Sequence, residues 1–244
     1  MPCPNRPVLQ LLALPEPIEY EAATRLQERL VAERAAALLP DTLILCEHPP
    51  VITLGRSFHP ENLREAPLDL EARGIRVRPA ARGGDVTYHG PGQLVGYPIV
   101  ELTRRGRDLH AYLRDLEEVL IRLLADYGLV GERVPGRTGV WVHHEKVAAI
   151  GVAVRRWVAW HGFALNVSTP VEAFAPIIPC GIRDRGVTSL ERLLGRPVPR
   201  ETLQEALVRE MVAAFGYGET VPGDCARWLR LDQAGPGNHS GSPN

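Results

Sequence analysis

Residues Lys146–Cys180 read KVAAIGVAVRRWVAWHGFALNVSTPVEAFAPIIPC, and the rest of the chain is organised around this stretch. It contains two segments typical of β-strands, with small residues at alternate positions. The first segment carries two sets of side chains on opposite faces, Ala149, Gly151 and Ala153 against Ala148, Ile150, Val152 and Val154. In the second, predicted over 157–167, Gly162 and Ala164 continue the small stripe. Such a stripe suits a narrow apolar ligand, and tight packing between strands explains it equally well.

Lys146 is the only lysine of the chain, so arginine supplies the other 27 of its 28 basic residues. An arginine stays protonated at any working pH, whereas a desolvated lysine amine can release its proton. The single lysine therefore indicates a position that needs a titrating amine. A coding bias towards arginine that left one lysine by chance is the alternative.

Cys180 lies between Pro179 and Gly181, a combination that favours a turn and an accessible thiol. A cysteine becomes a nucleophile as the thiolate, which needs a nearby cation or base. Lys146 could be that partner if the fold brings the two together. An isolated Pro-Cys-Gly is more often an inert cysteine in a core turn, and both interpretations remain open from this segment alone.

Residues 82–92 read RGGDVTYHGPG, with turn-forming glycines on both sides of a very short strand. Backbone amides of such a segment can bind a carbonyl oxygen or a phosphate. The spacing matches neither the P-loop nor the dinucleotide-binding pattern. Without further context, a glycine cluster of this kind more often makes turns.

The bulk composition is that of an ordinary globular protein, with 45% hydrophobic and 23% charged residues and a net charge of −1. This charge favours neither nucleic acid nor an anionic membrane as partner. The first residues lack the basic start and cleavage site of a signal peptide, so we expect a cytoplasmic protein. The cysteines are far apart, and the histidines lack metal-ligand spacing, so we expect no metal site.

The remaining pattern predicts strands and helices in alternating groups. The clearest helix follows Asp108, with Leu109–Tyr127 placing leucines on one face and Gly128 at its end. Gly139–Val142 and Lys146–Val154 are predicted to form a hairpin with His143, His144 and Glu145 at the turn. We expect one α/β (α+β) domain over 1–233, with mixed β-sheets flanked by helices, and a disordered tail over 234–244.

Four segments together resemble the lipoyl (octanoyl) transferase family. They are EHPPVITLGR at 47–56, RGGDVTYHGPGQLVGYPI at 82–99, KVAAIGVAVRRWVAWHGFALNV at 146–167, and FAPIIPCGI with GVTSLERL over 174–193. The resemblance implies a fold similar to that of the biotin and lipoate protein ligases. It also implies an acyltransferase that moves an octanoyl or lipoyl group from acyl carrier protein to a specific lysine of a lipoyl domain.

The resemblance further implies the roles of individual residues. Cys180 would form an acyl-thioester intermediate, and Lys146 would tune its thiol and serve as acid and base. Substrate binding would fall to Arg82, Gly83, Gly84, Asp85, Val86, Thr87, Tyr88, His89, Ala149, Ile150, Gly151, Gly162, Phe163 and Ala164. The amides near Gly83–Gly84 or at Gly151 are our candidates for the oxyanion site.

No ATP and no metal would be needed, because exchange between two thioesters is nearly balanced in free energy. The donor would be octanoyl-acyl carrier protein. The acceptors would be lipoyl domains of 2-oxoacid dehydrogenase complexes and the glycine cleavage H protein, and we expect a monomer. Two alternatives are an ATP-dependent lipoate or biotin protein ligase on the same fold and a non-catalytic module that binds acyl groups or carrier proteins. A cysteine hydrolase is a weaker third, since no His and Asn or Asp partners are evident.

Overall fold

A computed structural model describes residues 6–181, 185–226 and 228, and for Cys180 it describes the backbone alone. The strands are β1 (Val8–Ala13), β2 (Asp41–Cys46), β3 (Val51–Leu54), β4 (Arg76–Pro79), β5 (Val86–His89), β6 (Gln93–Glu101), β7 (Glu132–Val134), β8 (Arg137–Val142), β9 (Glu145–Arg155), β10 (Val158–Asn166) and β11 (Glu219–Pro222). The α-helices are α1 (Tyr20–Ala35), α2 (Pro67–Ala72), α3 (Leu109–Asp126), α4 (Leu190–Leu194) and α5 (Arg200–Phe215). The predicted division into a domain over 1–233 and a tail over 234–244 stays a prediction, because residues 229–244 lie outside the described part.

The strands form two mixed sheets. The large sheet has the order β11-β1-β2-β6-β10-β9-β8-β7, and the small sheet has the order β4-β3-β5. In the large sheet β1 runs parallel to β11 and to β2, while the pairs from β2 to β7 are antiparallel. In the small sheet β3 is parallel to β4 and antiparallel to β5. The predicted mixed-sheet α/β class is confirmed.

Helices cover both faces of the large sheet. On one face α3 and α5 pack over a core that includes Leu116, Leu120 and Leu207, all fully buried. Asp108 caps α3 as predicted, since its carboxylate accepts from the Ala111 N–H at 2.9 Å. Burial of each such leucine contributes about 1.5–3 kcal/mol to stability. On the other face α1 packs against β6 and β10.

The small sheet has a core of its own. Val86 and Tyr88 of β5 pack there with Leu70 of α2. Phe174 and Ile177, from the segment that leads into Cys180, complete it. This packing fixes the approach of that segment towards the centre of the molecule.

The central strand β6 was not predicted as a strand, because Pro98 interrupts it and proline cannot donate to a strand ladder. The structure accommodates the proline because one of its two neighbouring strands does not pair with it. Pro98 lies opposite Leu43 of β2. On the other side, the pairing of β6 with β10 is interrupted between Ala159 and Phe163.

The predicted hairpin of β8 and β9 is confirmed, and so is the strand β10. The turn of this hairpin consists of His143 and His144, with positive φ angles of 48° and 69°. Glu145, predicted to lie in the turn, is instead the first residue of β9 and pairs with Val142. The register of β8 and β9 shifts between Val140 and Trp141, which leaves Val147 as an extra residue in β9. A bulge of this kind redirects the side chains on one side of it, and here it lies directly after Lys146.

The two stripes of small residues meet across the sheet. Ala149 of β9 lies opposite Ala164 of β10, and Gly151 lies opposite Gly162. A Cβ on Gly162 would come within 2.3 Å of the Gly96 carbonyl oxygen, and a Cβ on Gly151 would come within 3.1 Å of the Gly83 carbonyl oxygen, so a side chain is disfavoured at both positions. In the described part of the chain, no helix combines the length and apolar character that a bilayer span requires.

Candidate active site

Lys146 is buried at the start of β9, with 6% of its surface exposed. Its ammonium lies over the face of the Trp141 ring, with Nζ 4.8 Å from the centroid. Gly139 makes room for the lysine chain, since a Cβ there would come within 3.3 Å of the lysine Cε. The lysine backbone is also fixed, because its N–H donates to the Gly186 carbonyl at 2.9 Å and its carbonyl accepts from the Thr188 N–H at 3.0 Å.

The backbone of Cys180 lies in a single 3₁₀ turn, Pro179–Gly181. The segment before the turn is anchored to Asn62, whose carbonyl accepts from the Ile178 N–H at 2.8 Å. The Asn62 amide donates to the Asp85 carboxylate at 2.5 Å. The side chain of Cys180 lies outside the described part of the structure, so its pairing with Lys146 stays a prediction. Gly181 and Lys146 do line the same cleft.

A pocket with an empty volume of about 460 Å³ lies over the small-residue stripes. Eleven of the fourteen residues predicted to bind substrate line it: Arg82, Gly83, Gly84, Thr87, His89, Ala149, Ile150, Gly151, Gly162, Phe163 and Ala164. We call it the acyl pocket. Whether these residues bind the acyl group stays a prediction that the geometry supports.

The other three predicted residues, Asp85, Val86 and Tyr88, are absent from the pocket lining. Successive side chains of a strand point to opposite faces, so Val86 and Tyr88 pack in the small core while Thr87 and His89 line the pocket. Asp85 accepts from the His59 N–H at 3.0 Å as well as from Asn62. It therefore anchors the segment next to Cys180.

Arg82 lines the pocket, and its guanidinium is bonded to the protein. Its Nη2 donates to the Thr53 carbonyl at 2.7 Å, and its Nη1 donates to the Asp85 carbonyl at 3.0 Å and the Gly83 carbonyl at 3.1 Å. These bonds attach the glycine loop to β3. We infer that Arg82 acts mainly by shaping this loop.

Neutral histidines and tyrosines form a further wall of the acyl pocket. Burial, reinforced by the neighbouring His48, lowers the pKa of His89 to about 3. Burial, reinforced by the Arg82 guanidinium, lowers the pKa of His161 to about 3 as well. Both rings are therefore uncharged at neutral pH, which suits an apolar ligand. Tyr20 stacks on His89 with ring centroids 6.2 Å apart.

A second cavity, the lysine cleft, opens beside the acyl pocket. It contains Lys146 and Gly181, and α3 contributes Leu109 and Leu113 to its wall. The cleft and the acyl pocket share four lining residues, Gly83, Gly84, Ile150 and Gly151. A group bound across this boundary would place its chain in one cavity and its reactive end beside the lysine.

The backbone amides at this boundary are not equivalent. The Gly83 N–H donates to the Val152 carbonyl at 2.8 Å and is occupied. Within the described residues, the Gly84 N–H donates to no carbonyl or side chain, and Gly84 has a φ of +83°. Of the amides proposed from the sequence, Gly84 is therefore better placed than Gly83 to bind an oxyanion.

Sequence reasoning missed four residues of the site. Tyr20, Tyr97 and His161 line the acyl pocket, and Trp141 contacts Lys146. The Trp141 contact depends on the two-residue turn at His143 and His144, which pairs Trp141 with Lys146, whereas the predicted turn also included Glu145. Tyr20 and Tyr97 reach the pocket from α1 and β6, and no local pattern indicates this.

The expected absence of a metal stays a prediction. Among the residues that the structure describes, no group of three or more His, Cys, Asp or Glu side chains is arranged to hold an ion. Cys46 is fully buried, and burial raises the pKa of its thiol. It is therefore an inert apolar group.

Comparison with solved structures shows the fold. The chain is similar to a lipoate-protein ligase A bound with ATP, at a TM-score of 0.71 and 18% identity, covering 93% of this chain and 94% of that one. It is also similar to a biotin protein ligase from Aquifex aeolicus, at a TM-score of 0.52 and 14% identity, covering 85% and 70% of the two chains. The predicted resemblance to the biotin and lipoate protein ligase fold is confirmed.

Comparison of sequences shows the family. The model of the lipoyl protein ligase A/B catalytic domain matches residues 19–212. An octanoyltransferase of Geobacter metallireducens is 56% identical over 182 residues, which cover 75% of this chain and 82% of that protein. An octanoyltransferase of Rubrobacter xylanophilus is 51% identical over 213 residues, covering 86% and 94% of the two. This chain therefore belongs to the octanoyltransferases of the lipoyl protein ligase A/B catalytic-domain family.

Proposed function

We propose that this octanoyltransferase takes an octanoyl group from an acyl carrier protein and delivers it to a lysine of a lipoyl domain through a thioester on Cys180. One observation carries the proposal. The only lysine of the chain is buried in a cleft that shares Gly83, Gly84, Ile150 and Gly151 with the acyl pocket and that contains Gly181, the neighbour of Cys180. An acyl chain in the pocket would present its carbonyl carbon at this boundary.

In the first step, the Lys146 amine takes the thiol proton of Cys180. The thiolate attacks the carbonyl carbon of the octanoyl thioester, and the Gly84 N–H supports the resulting oxyanion. The bond between the carbonyl carbon and the carrier's sulfur then breaks. The leaving thiolate takes the proton back from Lys146, so the carrier departs as a free thiol and the enzyme holds the octanoyl group.

In the second step, the amine of the acceptor lysine attacks the Cys180 thioester. Its proton passes to Lys146, which acts as the general base. The bond to the cysteine sulfur breaks, and the thiolate regains a proton from Lys146. The products are an amide on the lipoyl domain and the starting enzyme, so neither ATP nor a metal enters the balance.

The walls of the acyl pocket support an apolar substrate. Its floor consists of small residues on β9 and β10, and its histidines are neutral at neutral pH because burial lowers the pKa of His89 and His161 to about 3. A saturated acyl chain requires no charged partner in such a pocket, and the Arg82 guanidinium in its lining is already bonded to the Thr53, Asp85 and Gly83 carbonyls.

We further propose that the acceptors are lipoyl domains of 2-oxoacid dehydrogenase complexes and the glycine cleavage H protein, and that the enzyme acts as a cytoplasmic monomer. The wide lysine cleft supports a substrate attached to a protein, because it gives a long side chain access to the boundary with the acyl pocket. Light scattering on the purified protein measures its mass in solution.

A transfer assay tests the proposed function against the ligase alternative. The protein is incubated with apo lipoyl domain and octanoyl-acyl carrier protein without ATP, and in parallel with free octanoate and ATP. The proposal predicts an octanoylated lipoyl domain in the first mixture. Product in the second mixture alone would make the protein a ligase, and binding of the octanoyl carrier with no product in either would make it a binding module.

A further inference from the structure

A buried chain of hydrogen bonds connects the acyl pocket to the strand that carries Lys146. His89 of the pocket wall bonds through Nδ1 to Gln93 Oε1 at 2.7 Å. Gln93 Nε2 donates to Asn166 Oδ1 at 2.9 Å, and Asn166 Nδ2 donates to the Thr188 carbonyl at 3.0 Å. We call the side chains of Gln93 and Asn166 the amide bridge.

The amide bridge is buried and fully bonded. Gln93 is 2% exposed and Asn166 is 4% exposed, and each uses both its oxygen and its nitrogen. The Thr188 carbonyl can only accept, so Asn166 must turn its nitrogen towards it and its oxygen towards Gln93. By the same logic Gln93 turns its oxygen towards His89. The neutral His89 ring therefore carries its proton on Nδ1.

The hydrogen-bond chain ends at Thr188, in the segment that fixes the backbone of Lys146. The segment 186–188 lies beside the start of β9, with Val187 paired in parallel to Lys146. The Lys146 N–H donates to the Gly186 carbonyl, and its carbonyl accepts from the Thr188 N–H. At the end of this segment, Asn166 of β10 donates to the Thr188 carbonyl. Asn166 therefore connects the position of the Lys146 backbone along β9 to the wall of the acyl pocket.

We propose that Gln93 and Asn166 are positioning residues of the transfer reaction, which hold Lys146 in register with the acyl carbonyl. This inference rests on the proposed function. Neither residue touches the reacting atoms, and both act through the backbone of the segment 186–188. A displacement of about 1 Å at a reacting group can cost about 100-fold in rate, so loss of a single bond in the bridge would be visible in turnover.

Asn166→Asp is the sharpest test because it keeps the shape of the side chain. One carboxylate oxygen still accepts from Gln93, but the other faces the Thr188 carbonyl without a proton to donate. We expect kcat to fall about 10- to 100-fold with the KM for the octanoyl donor within about threefold of wild type. A protonated aspartic acid regains the donor, so the ratio of the variant's kcat to that of wild type should fall as the pH rises.

Two further variants complete the design. Asn166→Ala removes the donor at every pH, so its kcat should be low without that pH signature, and it serves as the test if Asn166→Asp does not fold. Thr169→Val is the matched control, since Thr169 is equally buried and its hydroxyl contacts no bonding partner in the described part of the chain. Its kcat should stay within about twofold of wild type.

The single lysine supplies an independent readout. Protein labelled with ¹⁵N-lysine gives one backbone amide signal, that of Lys146, whose N–H is bonded to Gly186. Its hydrogen exchange should become at least about tenfold faster in the Asn166 variants and stay unchanged in Thr169→Val. Folded Asn166 variants with wild-type kcat and an unchanged pH profile would overturn the inference. Absence of transfer by the wild-type enzyme would instead refute the proposed function.

Discussion

The ammonium of Lys146 lies over the indole of Trp141, with Nζ 4.8 Å from the ring centroid. The two residues face each other across the β8–β9 hairpin, where Trp141 pairs with Lys146 just before the bulge at Val147. A cation is attracted to the face of an aromatic ring, with an energy of about 0.5–2 kcal/mol that increases when water is excluded. The ring is fully buried, so it gives the lysine amine a rigid surface on which to rest.

Replacement of Trp141 tests this contact. Trp141→Leu removes the aromatic face, and we expect the rate of octanoyl transfer to fall about tenfold or more because the amine loses its position. Trp141→Phe keeps an aromatic face and should retain more activity than the leucine variant. Equal losses in both variants would show that the indole acts through its volume alone. Melting temperatures of both proteins separate this effect from misfolding.

Lys146→Arg tests the acid–base role directly. Arginine keeps the positive charge and can lie on the same ring, but it stays protonated and cannot accept a proton. We expect transfer to fall by at least about 100-fold, within the range contributed by general acid–base catalysis. The matched control is Arg192→Lys, the reverse exchange at an exposed position of α4. A wild-type rate in Lys146→Arg would remove the lysine from the mechanism.

The small residues of the acyl pocket should set the length of the chain it accepts. Ala164→Val adds two methyl groups beside Ala149, within the pocket floor. We expect the preference to shift to acyl groups shorter than octanoyl, with kcat/KM for octanoyl about 10-fold lower. The measurement is kcat/KM for a series of thioester donors whose acyl groups have four to ten carbons.

Ala153→Val is the control for packing in that experiment. Ala153 lies on the same face of β9 as Ala149 but outside the acyl pocket, and it is 5% exposed. Overpacking costs about 1–3 kcal/mol in either variant, so both should melt at lower temperature. A change of chain-length preference in the Ala153 variant as well would show that the pocket is not what measures the acyl chain.

The buried histidines predict a loss of stability in acid. Burial lowers the pKa of His48 to about 4 and of His89 and His161 to about 3, against about 6.5 in an unfolded chain. Between these values the unfolded chain binds more protons than the folded one. The free energy of unfolding should therefore be highest above about pH 6.5 and decrease as the pH falls towards 3.

Denaturant titrations from pH 4 to pH 8 measure this slope. His161→Gln should reduce this slope by an amount that corresponds to at most about one bound proton. His110→Gln, at an exposed position of α3, should leave it unchanged. A wild-type slope in His161→Gln would show that this ring does not contribute to the acid sensitivity.

Local patterns predicted most of the fold around the site. The alternation of small residues identified β9 and β10, the turn after Val142 indicated the hairpin of β8 and β9, and Asp108 with the leucines that follow it indicated α3. The strand β6 was missed because Pro98 contradicts the usual pattern of a central strand. Its position between β2 and β10 depends on pairing with residues at least 49 positions away, which no local window contains.

The site was predictable where its residues follow one another in the sequence, as in the segments after Arg82 and Lys146. It was not predictable where distant elements meet. Tyr20 comes from α1, and Asn166 at the end of β10 bonds to Thr188, 22 residues later in the chain. The alternation along β5 also explains why Val86 and Tyr88 lie outside the pocket although their neighbours line it.

The central claim is that the octanoyl group passes through Cys180. The most direct measurement is the intact mass of the protein after incubation with octanoyl-acyl carrier protein in the absence of ATP, followed by peptide mapping. The account predicts a single octanoyl adduct on Cys180 that disappears when apo lipoyl domain is added, and no adduct in Cys180→Ser. An adduct that maps to another residue, or transfer at the wild-type rate by Cys180→Ser, would contradict it.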